Sequence, residues 1–298
     1  MKNISITGQE GFVGKNLASY LSENQFCVNR ISLRNSWEYP DSADAVIHLA
    51  GIAHDLAKTA DDEVYFKINR DLTIQLFNEF LKSSTKEFFY FSSVKAAADS
   101  VKGFLDEKLA ANPATPYGKS KLEAENYLLS QKLPDGKRVF IIRPCMIHGP
   151  GNKANLNLLY KVVKKGIPWP LAAFENRRSF LSIDNLNFLI LKMLQNADIP
   201  SGIYNFADDQ NLSTTDVVKI IGEATGRRVK LWKISASLIK NLAKIGDIFS
   251  LPLNSERLGK LTENYIVSNQ KIKNALQIDH LPVTAEQGLR KTIKSFQK

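Results

Sequence analysis

A glycine-rich segment near the N-terminus constrains the fold more than any other feature of the sequence. Gly8, Gly11 and Gly14 follow a strand-like segment at 2–7, and a helical pattern begins within the same turn. Glycines permit a tight strand-to-helix turn and let the backbone approach a pyrophosphate, which binds the free N–H groups at the positive helix end. The spacing is GxxGxxG rather than GxGxxG, so a purely structural turn is the alternative.

Strands and helices alternate beyond this turn. The predicted strands of the first half lie at 2–7, 26–33, 44–51, 87–93 and 138–144. The predicted helices between and after them include 63–84 and 115–132. This alternation predicts an α/β protein with a Rossmann doubly wound parallel sheet in residues 1–150.

The regular alternation of predicted strands and helices ends after residue 150. The remaining predicted helices lie at 156–165, 184–196, 214–225 and 235–246, with short strands at 178–183 and 202–207. We therefore expect residues 151–298 to form a smaller, mixed α/β C-terminal substrate lobe that is interleaved with the first domain.

Charge and cysteine content narrow the functional classes. The formal charge is +10, but the basic residues are spread along the chain without a long basic block, so nucleic-acid binding is a minor alternative. Two cysteines without a CxxC motif, and four histidines without metal-ligand spacing, predict a reduced, cytoplasmic protein with no metal site. No apolar run approaches the ~18 residues of a membrane span, so we expect no membrane insertion.

Three residues form a candidate catalytic set. Ser93 ends a predicted strand, where the carboxyl ends of parallel strands face the ligand crevice, and Tyr117 and Lys121 share one face of the next helix. An ammonium one turn away and a positive nicotinamide ring would favour the tyrosinate, which could exchange a proton with a sugar oxygen held by Ser93. Tyr160 and Lys164 have the same spacing but lack this context. In the alternative reading, Tyr117 and Lys121 are ordinary residues of a charged surface helix.

The end of the second predicted strand bears on the choice of cofactor. An acidic residue at this position would bind the ribose 2′-OH of NAD, whereas an arginine can pair with the 2′-phosphate of NADP. The sequence offers Arg34 and no acid there. Both NAD and NADP stay open, with the arginine favouring NADP.

Ordered motifs along the chain resemble the extended short-chain dehydrogenase/reductase family, in particular its nucleotide-sugar epimerases and dehydratases. The matching segments are TGQEGFVG (7–14), DAVIHLAG (44–51), Asn69 with Thr73, FSSVK (91–95), YGKSKLEAE (117–125), IIRPCMIHGPG (141–151), NRRSFLSIDNL (176–186) and GIYNFA (202–207). The chain departs from the common pattern at FSSVKAAA, which lacks a Tyr-Gly pair, and at Met146, which replaces a frequent asparagine. These departures resemble a bacterial subgroup of surface-polysaccharide pathways that contains 4-keto-sugar reductases as well as epimerases.

The resemblance implies roles for individual residues. It implies that Ser93, Tyr117 and Lys121 are catalytic. The cofactor-binding residues that it implies are Gly8, Gly11, Phe12, Val13, Gly14, Leu49, Ala50, Gly51, Asn69 and Pro144. Arg34, at the end of the second predicted strand, is a further candidate. The implied substrate-binding residues are Ser93, Asn155, Arg178 and Arg257, the three last of which would reach the diphosphate.

The resemblance also implies an activity and partners. We expect an NAD(P)-dependent nucleotide-sugar epimerase that acts at C4 of a UDP- or dTDP-hexose through a 4-keto intermediate. An NADPH-dependent reductase of a 4-keto nucleotide sugar would use the same residues, and a non-catalytic NAD(P)-binding regulator is an alternative of another class. A homodimer formed through the helices at 63–84 and 116–132 is implied.

Overall fold

A computed structural model describes residues 1–34, 37–40, 42–52, 61–152, 156–249 and 253–297. The strands in these residues are β1 (Asn3–Thr7), β2 (Cys27–Ile31), β3 (Ala45–His48), β4 (Glu87–Phe91), β5 (Phe104–Leu105), β6 (Arg138–Pro144), β7 (Met146–His148), β8 (Arg178–Ser182), β9 (Gly202–Phe206), β10 (Asn211–Leu212) and β11 (Ile266–Val267). The α-helices are α1 (Phe12–Glu23), α2 (Asp62–Tyr65), α3 (Leu72–Lys82), α4 (Pro116–Ser130), α5 (Leu156–Lys164), α6 (Ile183–Gln195), α7 (Thr214–Thr225), α8 (Ala236–Ile248), α9 (Ser255–Thr262), α10 (Gln270–Leu276) and α11 (Ala285–Ser295).

The central sheet has six parallel strands in the order β2-β1-β3-β4-β6-β9. Strands β3 and β4 are buried along their whole length, because helices cover both faces of the sheet. The strand order reverses between β1 and β3, and ligands of such sheets bind outside the carboxyl ends at this switch point. The predicted α/β, doubly wound fold is therefore confirmed.

Two small sheets lie outside the central one, with the orders β10-β8-β7 and β11-β5. Strand β9 follows residue 150 in the chain and yet pairs with β6 in the central sheet. The sheet thus draws on both sides of residue 150, and the division into a cofactor domain and a substrate lobe stays a prediction.

The helix predicted at 63–84 is more complex than its sequence pattern. Helices α2 and α3 flank a π-helical segment, Phe66–Asp71, within one continuous helical stretch. The wider turns of a π-helix shift the residues that follow, and such segments occur often at functional sites. Here the segment contains Asn69, whose side chain is fully buried. No helix in the part of the chain that the structure describes is long and apolar enough to cross a membrane.

Candidate active site

The glycine turn lies between β1 and α1, at the switch point of the sheet. Gly8 has a φ of +68°, which favours glycine, and a Cβ there would lie 2.8 Å from the backbone nitrogen of Ala50. A Cβ at Gly14 would lie 2.4 Å from the carbonyl oxygen of Gly8, so the helix approaches the turn too closely for a side chain. Gly11 begins α1 without a side-chain cap and without an acidic residue in the first turn. The amide groups of this turn therefore suit an anion such as a pyrophosphate.

A buried chain of hydrogen bonds positions the segment that follows β3. The amide of Ala50 donates to Thr7 Oγ1 at 3.0 Å, and Thr7 Oγ1 lies 2.7 Å from His48 Nδ1. His48 Nε2 lies 3.0 Å from Thr73 Oγ1, which donates to the carbonyl oxygen of Asn69. Burial and the nearby Lys121 ammonium lower the pKa of His48 to about 3, so the ring is neutral. Every polar group in this chain is satisfied when Nε2 carries the proton.

Asn69 holds the same segment from the other side. Its Oδ1 accepts from the amide of Ile52 at 2.9 Å, and its Nδ2 donates to the carbonyl of Ile52 and to Ser120 Oγ. A Cβ at Gly51 would lie 2.8 Å from Asn69 Oδ1 and 3.2 Å from Lys121 Nζ. Asn69 therefore fixes the backbone at Gly51, and its predicted cofactor contact stays a prediction.

Ser93 and Tyr117 lie together, as predicted. Ser93 is at the end of the β4 segment and caps the following turn by accepting from the amide of Lys95 at 3.2 Å. Tyr117 lies in the first turn of α4, which Thr115 caps and Pro116 begins, and its ring contacts Tyr65 edge to face. Burial raises the pKa of Tyr117, and its hydrogen bond with the Ser93 side chain opposes that rise. Burial is thus the largest influence on the Tyr117 pKa in the protein alone, and the expected joint effect of Lys121 and a nicotinamide ring stays a prediction.

Lys121 lies one turn further along α4 and is only 5% exposed. Its Nζ donates to the carbonyl of Phe91 at 2.9 Å and lies 4.9 Å from the centre of the Tyr90 ring. Burial lowers its pKa to about 8, against the opposing charge of Glu125. The ammonium therefore lies close to Gly51, between the end of β4 at Phe91 and the predicted ribose segment.

A buried ion pair lies beside the carboxyl end of β4, which leads to Ser93. Glu125 follows Lys121 by one turn and accepts from Arg143 Nε at 3.0 and 3.1 Å, while Arg143 Nη2 also donates to its carboxylate. The hydroxyl of Ser92, the neighbour of Ser93, donates to the same carboxylate. Both charged side chains are almost fully buried. Because α4, β4 and β6 meet in this network, it fixes Ser93 and Lys121 relative to each other.

The predicted substrate residues are placed less uniformly. Arg178 begins β8 and is half-buried; it donates to the carbonyl of Lys260, and its Nη2 lies 3.5 Å from Glu263 Oε1. Arg257 is exposed in the first turn of α9. Asn155 lies outside the described residues. The diphosphate roles of all three stay predictions.

Sequence reasoning missed Lys95 and Tyr265, which connect the turn after Ser93 to the Arg178 region. Lys95 Nζ donates to the carbonyl of Asp99 at 2.7 Å and lies 4.4 Å from the centre of the Tyr265 ring. The Tyr265 hydroxyl donates to the carbonyl of Ala98 at 2.6 Å, and its backbone bridges to Arg178. Burial lowers the pKa of Lys95. The departure from Tyr-Gly after Ser93 was the available signal, because it places the cation Lys95 two residues after the predicted catalytic serine.

The remaining predicted cofactor residues surround the glycine turn. Arg34 is exposed beyond the end of β2, and on β2 itself Arg30 pairs with Glu10 of the turn at 2.9 Å. Phe12 and Val13 form the start of α1, and the Phe12 ring would lie 3.2 Å from a Cβ at Gly149. Leu49 and Ala50 follow the carboxyl end of β3, and Pro144 is the last residue of β6. Their contacts with a cofactor stay predictions, and Arg30 and Glu10 are additional charged groups at this edge.

Comparison with known proteins agrees with this geometry. A family model described as the NAD dependent epimerase/dehydratase family matches residues 4–207. The chain is 28% identical to a UDP-glucose 4-epimerase of Vibrio cholerae, over 99% of this chain and 95% of that protein. It is 25% identical to a GDP-6-deoxy-D-mannose reductase of Pseudomonas aeruginosa, over 74% and 80% of the two chains. The solved UDP-N-acetylglucosamine 4-epimerase of Bacillus cereus has the same fold, with a TM-score of 0.78, 18% identity and full coverage of both chains.

Proposed function

The chain belongs to the NAD-dependent epimerase/dehydratase family of extended short-chain dehydrogenases/reductases, and on this premise we propose that it inverts C4 of a UDP- or dTDP-hexose. The observation that carries the proposal is the joint placement of Ser93, Tyr117 and Lys121 at the carboxyl end of the central sheet. The relative from Vibrio cholerae, similar over nearly its whole length, supports an epimerase.

The residues around the switch point fit a dinucleotide cofactor. The uncapped start of α1 would bind the pyrophosphate, and the backbone held at Gly51 by Asn69 would lie under the ribose beside Lys121. When bound, the nicotinamide would accept a hydride from the sugar carbon and return it. Exposed Arg34 and the Arg30–Glu10 pair lie at the end of β2, where such folds bind the ribose 2′-OH of NAD or the 2′-phosphate of NADP. Because this edge carries both an acid and arginines, either cofactor fits it.

Tyr117 would remove the proton of the sugar 4-OH. The oxygen then becomes the carbonyl oxygen of a 4-keto sugar, and Tyr117 later returns the proton when C4 is reduced on its other face. Burial raises the pKa of Tyr117 in the protein alone, so the Lys121 ammonium and the positive ring of an oxidised nicotinamide would together have to offset burial to favour the tyrosinate. Ser93 would donate to the same sugar oxygen and hold it in place, while Lys121 orients the ribose.

Arg178 and Lys95 would serve the diphosphate end of the substrate. Both cations lie near Tyr265: the Lys95 ammonium contacts its ring, and the backbone of Arg178 pairs with its backbone. A guanidinium that already bonds a carbonyl and a carboxylate can exchange the weak carboxylate contact for phosphate oxygens.

A screen of nucleotide sugars tests the proposed function. Purified protein is incubated with UDP- and dTDP-hexoses, with and without a 4-keto group, while NADPH absorbance and product stereochemistry are recorded. The proposal predicts a product inverted at C4 with no net consumption of NADPH. Failure to convert any of these sugars, under conditions in which cofactor binds, would refute it.

A reductase of 4-keto nucleotide sugars is the second candidate, favoured by Arg34 and by similarity to the Pseudomonas reductase. It would use NADPH to reduce the ketone, with Tyr117 as the proton donor. Cofactor released from the purified protein distinguishes the two: tightly retained NAD without net NADPH consumption excludes the reductase. A non-catalytic regulator would bind cofactor and convert no sugar.

Several further expectations remain proposals of the same kind. The departures from the family pattern that include Met146 and the segment after Ser93 support a role in surface-polysaccharide precursor synthesis. We also expect the domain boundary at residue 150, a homodimer formed through the helices at 63–84 and 116–132, and a cytoplasmic location.

A further inference from the structure

Helix α8 carries an apolar stripe on its outer face. Leu238, Leu242, Ile245 and Phe249 recur at the spacing of a single helix face, and they are 52%, 45%, 47% and 69% exposed. Ile248, which lies beside the stripe, is 76% exposed. Soluble proteins expose single apolar residues routinely, but a contiguous row of large side chains marks an interaction surface.

The opposite side of α8 explains why the stripe faces outward. Ile239, Ala243 and Gly246 are buried against the body of the protein. A Cβ at Gly246 would lie 1.8 Å from the carbonyl oxygen of Leu253, so the backbones touch there, and Asp247 accepts from the amide and hydroxyl of Ser255. The helix cannot rotate to bury its stripe without breaking these contacts.

The sequence segment that contains the stripe is strongly basic. Residues 226–249 contain six basic side chains and a single acidic residue, Asp247, which is bonded to Ser255. The six, all exposed, are Arg227, Arg228, Lys230, Lys233, Lys240 and Lys244. Trp232, in the same segment, is 53% exposed. Helical spacing places Lys240 and Lys244 on a different side of α8 from the stripe. Basic residues on one side and large apolar residues on another form the pattern of a helix that lies in the plane of a membrane interface.

We propose that α8 docks this protein onto an anionic lipid surface, with the stripe of Leu238, Leu242, Ile245 and Phe249 in the headgroup–acyl boundary. The basic residues of 226–249 bind the negative surface by charge complementarity. This is binding in the plane of the membrane, not a span. A second copy of the chain is a less favourable partner for this surface, because two copies of it would bring like charges together.

The charge distribution also predicts the kind of lipid. Attraction to anionic headgroups falls off within about a Debye length and is screened by salt, whereas burial of the stripe is not. Binding should therefore need both features: vesicles without anionic lipid should bind weakly, and added salt should release much of the protein.

Sedimentation with lipid vesicles tests the proposal. The full chain is mixed with vesicles of phosphatidylcholine alone, or with about one-third phosphatidylglycerol, and the bound fraction is measured. The triple variant Leu238→Ser/Leu242→Ser/Ile245→Ser should bind the anionic vesicles about 100-fold more weakly. The control Leu158→Ser/Ile167→Ser, which changes exposed apolar residues elsewhere, should bind as the unmodified protein does.

A charge-reversal variant and a measurement of mass in solution complete the test. Lys240→Glu/Lys244→Glu should weaken binding to anionic vesicles while leaving the small amount bound to neutral vesicles unchanged. Absence of binding by the unmodified chain, or equal binding by the triple variant, would overturn the proposal. The proposal would also be overturned if sedimentation velocity gave a lower mass for the triple variant than for the unmodified protein. That result would identify the stripe as a contact between two copies of the chain. Conversion of free nucleotide sugars is unaffected by these changes, so the proposed function is tested separately.

Discussion

Replacing Lys121 by methionine should make the protein more stable and inactive. The fall of the Lys121 pKa from 10.5 to about 8 means that the folded state disfavours the charged form by about 3 kcal/mol. Methionine has a similar length and no charge, so it removes this term. It also leaves the carbonyl of Phe91 without its donor, which costs about 1–2 kcal/mol. The net expectation at pH 7 is a gain of about 1–2 kcal/mol in the free energy of unfolding.

The same variant has a distinctive pH dependence. Between about pH 8 and 10.5 the folded protein has lost the Lys121 proton while the unfolded chain still holds it, so this residue makes the unmodified protein more stable as pH rises. Methionine does not titrate. The advantage of Lys121→Met should therefore shrink by about 2 kcal/mol from pH 7 to pH 10.

Urea unfolding of the cofactor-free proteins at both pH values measures this difference. Lys119→Met, which changes an exposed lysine on the same helix, is the matched control and should shift stability by less than about 0.5 kcal/mol. A Lys121→Met variant that is less stable than the parent at pH 7, or whose advantage does not change with pH, would refute the reasoning.

Three further changes probe the site. Ser93→Ala should lower kcat about 100-fold and leave cofactor affinity unchanged in a calorimetric titration, because the proposed role of the Ser93 hydroxyl is to hold the reacting sugar oxygen; a changed cofactor affinity would contradict that role. Arg34→Ala should raise the Kd for NADPH about tenfold and leave that for NADH unaltered, which calorimetric titration with both cofactors would show; equal effects would exclude a 2′-phosphate contact. Arg143→Met should lower the free energy of unfolding by about 3 kcal/mol, measured by urea denaturation, since it leaves the Glu125 carboxylate buried without its cationic partner; an unchanged free energy of unfolding would contradict this role of the ion pair.

The sequence predicted the central sheet because its signals are local. The buried strand at 87–91 and the helix that begins at Pro116 need only hydrophobic runs and a capping threonine to be recognised. The spacing of Tyr117 and Lys121 became informative through its position after a serine-ended strand. Tyr160 and Lys164 share that spacing, but Tyr160 packs on Phe296 in a separate cluster.

Features that depend on tertiary contacts were not predictable from the sequence. The π-helical segment at 66–71 follows from how Asn69 and Thr73 meet the β3 end, which no sequence period records. The Tyr265 contact joins residues more than 160 positions apart. Helix α11, by contrast, begins with a Thr284–Gln287 capping box that the sequence displays, and it was missed.

Turnover by Tyr117→Phe tests the central claim most directly. The variant keeps the ring and its contact with Tyr65 but cannot exchange a proton with the sugar oxygen. The product stereochemistry at C4 is followed by NMR with the nucleotide sugar that the unmodified protein converts, and cofactor affinity is measured in parallel. The account predicts a fall in kcat of about 10³-fold or more with unchanged cofactor affinity. Turnover equal to that of the unmodified protein would contradict it.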